Sequence, residues 1–71
     1  MKKFRVMLKA HIEKPLIEGF NVLAKDLDEA MTKVKDFFFI KLSNQGIDVL
    51  ENDIEVIRVT NDCGEVIYFV I

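Results

Sequence analysis

The sequence predicts a small α+β domain of order ββαββ: a four-stranded, mainly antiparallel sheet with one helix packed on one face. Three observations predict it. Apolar and polar residues alternate through the opening segment, apolar residues recur at three- and four-residue spacing in the middle, and two β-rich stretches flank "NDCG" near the end. At 71 residues, 51% hydrophobic and 31% charged, the chain reads as a single α+β domain over residues 1–71, too apolar for disorder.

From Lys3 to Ile12, the residues Phe4, Val6, Leu8, Ala10 and Ile12 alternate with Lys3, Arg5, Met7, Lys9 and His11, the period of a strand with one buried face. Pro15 in "EKP" ends that strand and holds Lys14 extended, as a hairpin loop requires. A second strand runs from about Leu16 to Ala24 with Phe20, Val22 and Ala24 on one face, and Gly19 inside it signals a bulge or a close backbone approach. Asp26 then caps a helix whose Glu29 is placed to reach back to the cap residue. Ala30, Met31, Val34, Phe37 and Phe38 supply its core face, and "SNQG" stops it near Lys41 or Leu42, with Gly46 in the left-handed conformation. "IDVLEND" has no clear period. Two further strands, Ile54 to Thr60 and Glu65 to Ile71, are joined by a tight turn at "NDCG". The segment "FNVLAKDLDEAM" is similar to strand-then-helix segments of small bacterial and phage proteins, a likeness of element order that carries over no functional residue.

"KDFFFIKL" sets Phe37, Phe38 and Phe39 side by side, and one helical face cannot hide all three. Centring the buried face on Val34 and Phe38 turns Phe39 outward, with Ile40 on the flank. Two readings of Phe39 stand side by side: residues 47–50 fold back over it, or another chain does. Coverage of the sheet raises the same issue on a larger scale. Four strands at ~4.8 Å spacing span about 15–19 Å, whereas a helix with its side chains covers about 10–12 Å. "VIYFVI" is apolar at every position, so the last strand offers large side chains to both faces. The expectation is a homo-oligomer, with a dimer favoured, that covers this surface by sheet stacking or edge pairing. Its candidate contacts are Phe39, Ile40, Tyr68, Phe69 and Ile71, and a heterologous protein partner is an alternative occupant.

Chemistry-bearing residues are sparse. His11 is the sole histidine, with Glu13 the nearest carboxylate in sequence, and reads as a surface side chain. Cys63 is the only cysteine and sits in a turn without a base; a lone thiol fits a reducing, cytoplasmic compartment. Asp26, Asp28 and Glu29 suit a helix N-terminus, while Asp48, Glu51, Asp53 and Glu55 lack the spacing of a calcium loop. The glycines at 19, 46 and 64 are isolated, so no phosphate-binding loop is present. No catalytic, cofactor or metal residues are assigned, and no enzymatic activity is expected.

The longest apolar run has six residues, against the ~20 of a membrane span. Arg5, Lys9 and His11 interrupt the apolar stretch that a secretory signal would need. A net charge of −2 opposes general attraction to nucleic acid. A local basic face on the first strand nonetheless gives an alternative function, single-stranded nucleic-acid binding through Lys3, Arg5, Lys9 and Arg58, with Tyr68 as a stacking ring. Against it stand the missing RRM aromatic motif and the common use of edge lysines to prevent aggregation.

Overall fold

The computed structural model describes residues 1–70 and has the expected order, with strands β1 (Lys2–Ala10) and β2 (Leu16–Ala24), helix α1 (Leu27–Asn44), and strands β3 (Ile54–Asn61) and β4 (Val66–Phe69). All neighbouring strands are antiparallel and the order across the sheet is β2-β1-β3-β4, so β1 and β3 are interior and β2 and β4 are edges. The element between helix and third strand, irregular in sequence, contains a short 3-10 turn at Glu51–Asp53. Asp53 fixes that turn by accepting the Leu50 amide on its carboxylate at 3.0 Å, and its carbonyl accepts the His11 amide at 2.7 Å.

Alternation on β1 does what its period requires. Phe4, Val6, Leu8 and Ala10 are buried under the helix with Ala24, Ile54, Val56 and Val59, and α1 answers with Ala30, Val34, Phe38 and Leu42, a row at four-residue spacing. Met7 lies opposite Arg58 and Leu8 opposite Val56, so Ile57 is an extra residue in β3. Because of that bulge, Val56 and Val59, three positions apart, both face the core.

Both helix ends are closed by side chains and turns. Asp26 Oδ1 accepts the Glu29 amide at 2.9 Å. The reciprocal half of the expected capping box is absent, because the Glu29 carboxylate turns to Lys33 at 2.9 Å, one turn along the helix. That hydrogen bond is the main reason the Glu29 carboxyl titrates below its ordinary range. Its small contribution is therefore present above the ordinary carboxylate pKa and is lost as pH falls through the folded value. Asp26→Ala is expected to cost about 1 kcal/mol, read as a lower urea midpoint at unchanged slope.

The C-terminus runs two to three residues beyond its sequence-based stop. Gly46 (φ +79°) donates to the Ser43 carbonyl at 3.0 Å and Ile47 to the Leu42 carbonyl at 3.0 Å, a Schellman closure in which Ile47 also packs on the core. The β3–β4 turn is organised by Asn61, whose Oδ1 accepts the amides of Cys63 (3.0 Å) and Glu65 (2.9 Å), with Gly64 at φ +85°.

Gly19 is not at a bulge, since β1 and β2 pair without a register break. It is a close-approach position: a Cβ there would lie 2.5 Å from Met7 Sδ and 2.9 Å from Arg5 Nη2, so the missing side chain lets both of these lie across the strand.

Candidate interaction surface

The main contacts of α1 are with β2, β1 and β3, and β4 projects beyond the helix. Val66 and Ile67 are exposed and Phe69 is 63% exposed; Val66, paired with Thr60, and Phe69, paired with Arg58, lie on the face away from the helix, so the last strand leaves its uncovered apolar surface there. A single helical layer also leaves the second sheet face bare. On it lie Lys3, Arg5, Met7 and Lys9 of β1, Ile17, Gly19, Asn21 and Leu23 of β2, Glu55, Ile57, Arg58 and Thr60 of β3, and Val66 and Phe69 of β4.

The five residues expected to form one contact do not share a patch. Phe69 is on the bare face, opposite Arg58. Tyr68 is opposite Val59, half-buried on the helix side, which removes it from the basic face and leaves Phe69 as the ring beside the cations. Ile40 is exposed on the outer side of α1, and Ile71 lies outside the described residues.

Phe39 is half-buried by its own chain and borders a shallow cleft with Thr32, Lys35, Asp36, Glu51, Asn52 and Ile54. Glu51, Asn52 and Ile54, from the 3-10 turn and the start of β3, border the ring, and Val49 belongs to the core cluster on which it packs. Phe37, assigned to the core face by spacing, is instead 56% exposed. The physical reason is an asymmetry of the sheet. On the Phe39 side the chain returns through residues 47–54 and walls the helix, whereas on the Phe37 side the sheet stops at β2. Phe37 meets Phe20 there, edge-on at 5.3 Å between ring centroids.

This makes the outer edge of β2 the main apolar feature not found from sequence. Ile17 (57%) and Leu23 (58%) are exposed on its bare-face side, and Phe37 with Phe20, Val22 and Val34 lines an apolar groove on its helix side. The available signal was "LIEGFNVLA" itself, which is apolar in both parities apart from Glu18, Gly19 and Asn21. Glu18 is held by Lys41 at 2.9 Å, and the same ammonium lies 5.3 Å from the Phe20 ring centroid.

The chemistry-bearing residues do not converge. His11 Nε2 lies 3.0 Å from Glu55 Oε1, so its carboxylate partner is Glu55 across the sheet rather than Glu13. Cys63 is exposed in its turn. Among the described residues no three His, Cys, Asp or Glu side chains gather as a metal site, and no helix is long and apolar enough to cross a membrane. Lys3, Arg5, Lys9 and Arg58 do share the bare face, where among the described residues Glu55 is the only carboxylate on a strand position. Comparison with protein-family models, curated proteins and solved structures finds no match.

Proposed function

We propose that the protein is a small, non-enzymatic, cytoplasmic interaction module that self-associates as a dimer through an edge strand of its sheet. The observation that carries this reading is the state of β2: nine residues long, paired to β1 without a bulge, carrying Glu18 as its only charge, and flanked by exposed Ile17, Leu23 and Phe37. Edge strands that stay solitary are usually short, bulged or studded with lysine and proline, because their free amides and carbonyls otherwise recruit another strand. The other edge, β4, is only four residues long and its pairing with β3 shifts register, which makes it the weaker template. Self-association also adds burial to a chain whose small core gives limited net stability. Light scattering on the eluting peak tests it. A mass of two chains is the expected result, and a single-chain mass up to millimolar concentration counts against the proposal.

A second reading is favoured by one observation, the placement of Lys3, Arg5, Lys9 and Arg58 on the bare face, with Lys9 and Arg58 beside Phe69. Cations beside an exposed ring suit a single-stranded nucleic acid, whose phosphates and bases they would meet. Binding of this kind weakens steeply with salt through counterion release, and Arg58→Ala with Lys9→Ala should flatten that dependence. Lack of retention of any labelled single strand at low salt removes this reading.

A further inference from the structure

The dimer reading above can be taken to a specific pairing. In an antiparallel ladder, alternate residues turn both backbone groups toward one neighbour and the residues between them turn both away. Two independent contacts fix that parity here. The Asn61 amide bonds to Glu65 on the β4 side, which turns Thr60 toward β1, its partner Arg5 toward β3, and Val6 and Phe4 toward β2. On β2 itself, Lys33 Nζ reaches over from the helix to the Leu23 carbonyl at 3.3 Å, marking Leu23 as an outward residue. Both assign Glu18, Phe20 and Val22 to the β1 ladder and leave Ile17, Gly19, Asn21 and Leu23 with their backbone groups facing outward.

We infer that the occupant of this edge is β2 of a second copy, antiparallel about a two-fold axis at Phe20. The strand runs from Leu16 to Ala24, so Phe20 is its centre. Pairing about that residue uses its full length: Ile17 meets the second copy's Leu23, Gly19 meets Asn21, and the two Phe20 residues face each other. The outward residues then all meet outward residues, giving about eight new backbone hydrogen bonds. The Leu23 carbonyl can keep Lys33, since it has a second lone pair.

Side chains agree with the register on both faces. On the bare face, exposed Ile17 and Leu23 become direct cross-strand partners twice over. On the helix side, the axis perpendicular to the sheet brings both helices to the same face, and each Phe20–Phe37 pair meets its copy across the seam. Charge is complementary as well: Glu18 of one copy faces Val22 of the other, the residue that lines the groove beside Lys33. A carboxylate already bound to Lys41 thus gains a second cation, and no like charges meet along the strand.

Thiol cross-linking tests the pairing in the full chain, with Cys63→Ser as background. Ile17→Cys and Leu23→Cys replace exposed side chains and so spare the monomer core. An equimolar mixture of the two variants is expected to give a disulfide-linked dimer under diamide, because paired Cα atoms lie about 5.5 Å apart, within disulfide range. Each variant alone is expected to cross-link at least tenfold more slowly, since like positions would be about 20 Å apart. Equal cross-linking of a single variant with itself would overturn the register. So would an unlinked mixture whose sedimentation still gives a dimer mass, and that result would leave self-association intact. A monomer mass by sedimentation for the unsubstituted chain would overturn both.

Discussion

Phe37→Glu is expected to separate assembly from folding. The ring is more than half exposed, so its loss removes little from the monomer core. Lys33 and Lys41 lie one turn to either side of position 37, and a glutamate there gains spacing that favours a helix by about 0.3–0.5 kcal/mol. Thermal stability of the monomer should therefore hold or rise slightly. At the seam the same substitution removes the ring that flanks Phe20 and sets two carboxylates near the two-fold axis. Dimer affinity should fall at least tenfold, about 1.4 kcal/mol, measured by sedimentation equilibrium. Unchanged affinity would show that the helix-side rim of β2 takes no part in the contact.

Phe38→Ala is expected to have the opposite profile, a loss of the fold itself. Phe38 is fully buried and its ring lies 5.7 Å from that of Phe20, joining α1 to the β2 side of the sheet. Removing such a ring typically costs about 3–5 kcal/mol through lost burial and the cavity left behind. A domain of this length has roughly 4–10 kcal/mol in total, so the variant should be largely unfolded or unfold at low denaturant. Circular dichroism during urea titration reads this out, and a wild-type midpoint would contradict the placement of Phe38 at the core. The contrast between neighbouring rings is the informative part. Residues 37 and 38 have the same side chain, yet one change should strike assembly and the other folding.

That contrast also marks where sequence reasoning reached and where it stopped. Strict alternation from Phe4 to Ala10 is a local signal, and it located the buried face of β1 without further information. Asp26, Gly46 and "NDCG" were legible for the same reason: caps and turns need particular backbone angles and hydrogen-bond acceptors in a few adjacent residues. Phe37 was misassigned, and Phe39 left open, because helical spacing gives only an angle about the helix axis. Which side is walled depends on strand order, here β2-β1-β3-β4, and on the return of residues 47–54 past Phe39. Strand order is a long-range property that no local pattern holds.

Tyr68 and Phe69 illustrate a second limit. In a run that is apolar at every position, parity cannot say which ring faces the helix, and pairing with Val59 decided it. Glu29 shows a third. A capping partner and an ion-pair partner were both within reach of its carboxylate, and the ammonium of Lys33 won. The coverage estimate survived these corrections, since it rested on widths rather than on the orientation of single rings. One helix shelters three strands and leaves β4 and both edges outside.

Amide exchange along β2, followed by NMR at several protein concentrations, addresses the central claim most directly. The amides of Glu18, Phe20 and Val22 are bonded to β1 and should be protected at every concentration. Those of Ile17, Gly19, Asn21 and Leu23 should be protected when the protein is concentrated and lose that protection together on dilution. If these four exchange rapidly even in concentrated solution, the edge is unoccupied and self-pairing of β2 is wrong.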